Sequence, residues 1–195
     1  MRLTFVRHGA TDWNRDGRFQ GQSDVPLSHE GRAQALALAD ALRGERFDYA
    51  VASDLSRAYE TALAIARPHG VDVARDPRWR EFAFGRWEGL TWSEIVERYP
   101  ALAAGDATAP RSYAPDGGES FEAVTQRVRD ALDTLRGGEH EHALVVAHAG
   151  PLHAALHVLF GAGAIDVRFV PASITRVMVD RTGAALLTLN DSSHL

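Results

Sequence analysis

Hydrophobic and polar positions along this chain alternate between short apolar runs and stretches of helical period. Leu3–Val6, Tyr49–Ala52, Val71–Ala74 and Ala143–Ala147 are short, mostly apolar runs, and they predict strands. Ala35, Leu38, Ala39 and Leu42 recur at helical spacing and predict an amphipathic helix over Gly31–Arg43. A second helix is predicted from about Asp54 to Arg67, capped by Ser53 and stopped by Pro68 and Gly70. A third runs from about Pro151 to Phe160. Ile174–Val179 and Ala184–Leu189, joined through Arg181-Thr182-Gly183, read as a hairpin or as two late strands.

Strands that alternate with helices predict an α/β fold: a three-layer αβα sandwich around a mainly parallel central sheet. Tyr99–Ser120 breaks the pattern. It is rich in Ala, Pro, Gly and Asp and has little periodicity, so it reads as a lid-like insertion over the sheet or as a plain connector. No repeat and no domain-scale linker interrupts the chain, which predicts one domain over residues 1–195.

Composition narrows the chemistry. Both acidic and basic residues are plentiful, but the formal net charge is −5, which argues against nucleic acid as a partner. No run approaches the roughly 20 apolar residues of a membrane span. The first residues are too quickly charged for a signal peptide, so the expected location is the cytoplasm. There is no cysteine and no lysine. Disulfides, thiol nucleophiles, zinc–thiolate sites, Schiff bases and Walker-type lysines are therefore excluded. Any anion site has to be built from arginine, histidine and backbone N–H groups.

Three strand ends carry such groups. Arg7 and His8 follow Leu3–Val6; Ser53-Asp54-Leu55-Ser56-Arg57 follows Tyr49–Ala52; His148-Ala149-Gly150 follows Ala143–Ala147. If the strands are parallel neighbours, these places share one edge of the sheet, where α/β proteins bind ligands. Two arginines, two histidines and two helix N-termini would converge there, an arrangement suited to a phosphoryl group. A histidine in that position is a candidate nucleophile towards phosphorus.

The same residues carry a resemblance. Arg7-His8-Gly9-Ala10-Thr11-Asp12-Trp13-Asn14 resembles the signature of the histidine phosphatase superfamily, the phosphoglycerate-mutase-like proteins. The likeness continues through Phe19-Gln20-Gly21, Pro26-Leu27-Ser28, Ser53–Ala62, Glu81–Gly89, Gly117-Gly118-Glu119-Ser120 and Val145–Gly150, and it spans essentially the whole chain. It implies a phosphoglycerate-mutase-like fold. It also implies that His8 is the nucleophile that becomes phosphorylated and that Glu81 donates a proton to the leaving oxygen. Arg7, Asn14, Gln20, Gly21, Arg57, His148 and Ala149 would line the substrate site, with His148 adding a donor if protonated. Ala149 stands where many relatives have glycine, but its backbone N–H remains available. Glu60 and Glu88 read as structural carboxylates that pair with arginine. Trp13, Trp87 and Trp92 either shape the substrate mouth or pack.

The activity implied is metal-independent, cofactor-free hydrolysis of a small phosphomonoester through a phosphohistidine. The stretch Phe84–Gly89 looks most like the broad-specificity and α-ribazole phosphatases. α-Ribazole phosphate, a sugar phosphate and a phosphoglycerate derivative are the candidate substrates, with Arg111 and Tyr113 contributing to the choice. The alternatives are a cofactor-dependent phosphoglycerate mutase and a non-catalytic phospholigand-binding protein. The mutase is disfavoured because the chain lacks the paired arginine and nearby lysine of that group. A monomer or homodimer is expected.

Overall fold

The computed structural model describes residues 1–100 and 117–195. Most of the Tyr99–Ser120 insertion, with Arg111 and Tyr113, lies outside the described residues. The elements in chain order are β1 (Arg2–Arg7), α1 (Asp12–Arg15), α2 (His29–Ala41), β2 (Tyr49–Ala52), α3 (Ser56–Ala66), β3 (Val73–Arg75), α4 (Trp92–Arg98), α5 (Phe121–Gly137), β4 (His142–Ala147), α6 (Ala149–Phe160), β5 (Ile174–Val179) and β6 (Ala184–Asp191). The strands form one sheet in the order β3-β2-β4-β1-β5-β6. The first four are mutually parallel, while β5 runs antiparallel to β1 and β6 antiparallel to β5. The late pair is therefore a hairpin.

Side-chain alternation along β4 divides the core into two layers. Ala143, Val145 and Ala147 pack with Val124, Val128 and Leu132 of α5 and Leu152 and Ala155 of α6. Leu144 and Val146 point the other way, to Leu38 of α2 and Ala58, Ala62 and Ile65 of α3. Helices thus cover both faces, which is why the central strands are apolar along their whole length.

The predicted elements hold, with shifts at their ends that have local causes. α3 begins at Ser56, and its N-cap is Leu55, not Ser53. The N–H of Ser56 is taken by the Asp24 carboxylate at 2.7 Å, and Ser53 is drawn towards His148 instead. β3 starts two residues later than its apolar run, at Val73. Gly70 turns left-handed (φ 68°) after the short 3₁₀ turn that extends α3, and the N–H of Val71 closes on the carbonyl of Ala66. α6 starts at Ala149, so Pro151 sits in its first turn, where no N–H is required. α1, α4 and α5 have no counterpart among the predicted elements. The signal for α5 is nevertheless in the sequence: Ser120 caps the N–H of Ala123, and Val124, Val128, Ala131, Leu132 and Leu135 form its buried stripe.

Candidate active site

The three strand ends converge. β4 lies between β2 and β1, with Ala52 opposite Val146 and Arg7 opposite Ala147. Backbone bonds carry the ladder past the strands, from His8 N–H to the Ala147 carbonyl and from Ser53 N–H to the Val146 carbonyl. Arg7, His8, Ser53 and His148 are thereby fixed at one edge, and the first turn of α3 adds Arg57. Arg7, His8, Asn14, Gln20, Gly21, Arg57 and Glu81 line a single cleft.

The two imidazoles face each other with centroids 4.9 Å apart. His8 Nδ1 lies 2.7 Å from the carbonyl of Gly9. A carbonyl only accepts, so Nδ1 carries the proton and Nε2 keeps its lone pair. Burial, reinforced by the Arg57 and Arg7 cations, holds the His8 pKa well below its usual value. His148 is pushed down in the same way, by burial, then Arg57, His8 and Arg7. It therefore stands beside His8 as a neutral, fully buried ring that does not itself line the cleft, and the protonated form on which its donor role was conditional is disfavoured. Its Nε2 is 2.9 Å from the Ser53 hydroxyl, and its buried Nδ1 has no partner. Either member of this pair can donate; where Ser53 donates to Nε2, the proton of His148 resides on Nδ1 and the neutral ring offers a donor to the site.

Both arginines are tethered by part of the guanidinium. Arg7 gives Nη1 to the Phe169 carbonyl at 2.6 Å. Arg57, fully buried, gives Nη1 to Ser23 and Nη2 to Gly21, again through carbonyl oxygens, at 2.9 and 2.8 Å. In each case Nε is buried without a partner. A buried N–H without an acceptor is costly, and an oxyanion would satisfy both. Burial brings the Arg57 pKa down to about 10, which leaves it cationic at neutral pH.

Glu81 lines the same cleft and accepts N–H bonds from Gly150 and Phe82, both at 3.0 Å. Desolvation raises its pKa against the opposing pull of the Phe82 N–H and of Arg7, Arg57 and Arg127. A Cβ on Gly150 would collide with Glu81 Oε1 and Phe82 Cδ2, so a larger residue there would displace the carboxyl and the ring. The backbone around Glu81 is held by Arg127, which the sequence reading does not single out, and by Glu119, which that reading gives no role. Arg127 of α5 donates to the carbonyls of Arg78 and Arg80 at 2.7 Å and of Glu81 at 3.0 Å. Its other bonds go to both oxygens of Glu119, which in turn accepts from the N–H of Ala83. Arg80 is also paired through two bonds to Asp54, at 2.6 and 2.7 Å.

The remaining expected residues divide. Asn14 borders the cleft with its amide oxygen tied to Thr11. Gln20 borders it too, with a buried, unpartnered Oε1. Gly21 has φ 55° and turns its carbonyl to Arg57. Ala149 does not line this cleft. It borders a second, adjoining cleft, together with Glu81, Phe82, Phe84, Phe121, Gly150 and His153. Glu60 pairs with Arg32 at 2.7 Å, as its structural reading implies. Glu88 instead accepts N–H bonds from Gln22, Ser23 and Phe84 and the hydroxyl of Ser23. It is satisfied by backbone where an arginine partner was expected, and it pins the loop whose carbonyls hold Arg57. None of Trp13, Trp87 and Trp92 lines the first cleft, and Trp87 is buried against Phe19.

A parallel sheet that ends in paired histidines, buried arginines and a desolvated carboxyl defines a protein that handles phosphoryl groups. The chain belongs to the histidine phosphatase superfamily (branch 1), whose family model matches residues 3–192. Among its relatives is phosphoserine phosphatase 1 of Hydrogenobacter thermophilus, 35% identical over 202 residues that cover 100% of this chain and 94% of that protein. A solved mycobacterial glucosyl-3-phosphoglycerate phosphatase, in complex with VO3, superposes with a TM-score of 0.87 at 33% identity, covering 98% of this chain and 99% of that one. A putative α-ribazole-5′-P phosphatase from Escherichia coli superposes equally well, with a TM-score of 0.87, 30% identity and coverage of 98% and 96%.

Proposed function

We propose that this protein is a phosphatase that hydrolyses a small phosphomonoester through a phosphohistidine on His8, with Glu81 as acid and then base. One observation carries the reading. A neutral histidine of fixed tautomer, its Nε2 lone pair uncommitted, stands beside two arginines whose buried Nε–H groups have no acceptor. The phosphatases named among the relatives support the same class of reaction.

The substrate dianion satisfies Arg7 Nε, Arg57 Nε and His148 Nδ1, which then hold the charge that spreads over the equatorial oxygens during transfer. His8 Nε2 attacks phosphorus in line, the P–O bond breaks, and its electron pair leaves with the oxygen. Glu81, kept towards its protonated form by desolvation, gives that oxygen a proton and releases an alcohol. Water then attacks the phosphohistidine. The glutamate now ionised takes the proton of the water, the P–N bond breaks, its electron pair returns to Nε2, and phosphate departs. No step calls for a metal ion.

A mutase needs a second anion site beside the first. Among the described residues, the cleft adjoining Glu81 is lined by three phenyl rings and His153 and contains no arginine, and Arg18 of the first cleft is paired with Glu94, which favours hydrolysis. The test is hydrolysis of p-nitrophenyl phosphate in EDTA by the wild type and by His8→Ala. Activity that survives chelation and vanishes in the variant supports the reading. Activity unchanged by the substitution sinks it. Turnover that appears only on addition of 2,3-bisphosphoglycerate with a phosphoglycerate substrate would favour the mutase.

A further inference from the structure

Two clefts meet at Glu81. The first holds the arginines, His8 and one face of the carboxyl; the second lies on the other side of Glu81 and Phe84, which line both. A phosphomonoester whose phosphorus faces His8 and whose bridging oxygen faces Glu81 has this second cleft open to its alcohol half. Its walls are unlike the first. Phe82 and Phe84 lie nearly parallel, 12° apart with centroids separated by 5.9 Å. Phe82 and Phe121 are also nearly parallel, at 17° and 6.3 Å. All three rings are half-buried. Among the described lining residues there is no guanidinium to receive a carboxylate; His153 is the one imidazole, and Glu81 itself would repel a carboxylate. The sugar hydroxyls of a polyol would likewise lose water against phenyl faces with few partners in return.

We propose that the substrate is the phosphate ester of an alcohol that carries an uncharged planar ring, aromatic or heteroaromatic, and that Phe82, Phe84 and Phe121 are the residues that select it. The inference rests on the phosphatase reading and narrows it. Ring stacking on these side chains favours flat apolar groups over small charged ones such as serine or glycerate. Phe121 reaches the cleft from the start of α5 and Phe82 and Phe84 from the segment that carries the acid. Recognition of the alcohol is thereby coupled to the group that protonates it.

The test compares 2-phenylethyl phosphate, ethyl phosphate and phosphoserine. All three have aliphatic leaving oxygens, so the comparison reads binding of the alcohol half and not leaving-group chemistry. For the wild type, kcat/KM for the phenylethyl ester should exceed that for the ethyl ester by about tenfold to a hundredfold, the range that burial of one phenyl ring supplies. It should also exceed that for phosphoserine. Inhibition by 2-phenylethylphosphonate and ethylphosphonate should follow the same order, which needs no variant to fold. Phe121→Ala should bring the phenylethyl-to-ethyl ratio close to one. Hydrolysis with phosphoserine as the best substrate, or with a ratio near one in the wild type, overturns the ring site and leaves the phosphatase standing. Failure to hydrolyse any ester or to bind either phosphonate overturns the phosphatase reading and this inference with it.

Discussion

Replacing Glu81 by glutamine separates its proton from its shape. The amide keeps an oxygen where the carboxylate accepts from Gly150 and Phe82, and it has nearly the same volume. The bracket of Arg127 and Glu119 holds backbone atoms and is untouched by the change. What is lost is the proton delivered to the leaving oxygen, a contribution of about 10²–10⁴ in rate. The loss should depend on the ester. An alkyl phosphate expels a strongly basic alkoxide and should lose about that much in kcat/KM. p-Nitrophenyl phosphate expels a stable phenolate and should lose less than about tenfold in the phosphorylation step. The assay is kcat/KM for both esters over a pH series, with a single-turnover measurement of the phenolate burst to isolate the first step. Wild-type kcat/KM for the alkyl ester should fall as pH rises through the raised pKa of Glu81, and that limb should be absent in Glu81→Gln. Stability should move the opposite way. A carboxyl raised by desolvation favours folding while protonated and opposes it once ionised. Glu81→Gln should therefore be neutral in stability below the ordinary value of 4.5 and increasingly stabilising as pH rises through the raised value. Equal losses on the two esters, or a pH limb that survives the substitution, would refute the assignment of Glu81 as proton donor.

Three further outcomes are expected. Ser53→Ala frees His148 to place its proton on Nε2; with a hydrogen bond of about 0.5–1.5 kcal/mol removed, phosphate affinity should fall by about two- to tenfold. Ser53→Thr should restore it, and ¹⁵N NMR of His148 should report the change of tautomer; an unchanged tautomer would count against Ser53. Arg127→Ala leaves Glu119 and three carbonyls without their donor and should cost about 2–3 kcal/mol in denaturant unfolding, with kcat falling more than KM rises. A variant that is destabilised but keeps its kcat would reduce Arg127 to a structural role. His8 and His148, both held well below the usual value of 6.5, stabilise the fold above that pH and withdraw the contribution as pH falls through it towards their depressed values. Thermal unfolding should show this acid limb, and it should shrink when His148 is replaced by asparagine.

How much of this was legible depends on the distance over which each contact acts. The parallel strands were legible because runs such as Ala143–Ala147 are buried on both faces. The convergence of Arg7, His8, Arg57 and His148 followed, because side chains just past parallel strands must share an edge. Ser53 misled because the capping rule is local: the cap of that helix start comes from Asp24, 32 residues away, and the hydroxyl is claimed by His148, 95 residues on. Glu119 lies in the Gly117–Ser120 stretch that carries the family resemblance, but nothing local gave it a partner, and Arg127 had no local signal. They bind backbone atoms of a segment more than 30 residues earlier, and no spacing rule connects them. The buried stripe of α5, by contrast, has an ordinary helical period and was available to be read. The aromatic cleft unites Phe82, Phe84 and Phe121 only through the tertiary fold.

The segment from Glu81 to Phe84 is gripped almost wholly by its main chain. Its carbonyl at Glu81 meets Arg127, and its N–H groups at Phe82, Ala83 and Phe84 meet Glu81, Glu119 and Glu88. Every amino acid but proline presents those same atoms. Side chains at 82, 83 and 84 can therefore change without removing any of these bonds, although Phe82 also packs on the core and Phe84 on Phe19. On the proposed roles, substrate choice and catalytic competence are written on the same few residues but in separate parts of them, so a lineage, or an engineer, can re-cut the wall of the second cleft while the bonds that hold Glu81 remain.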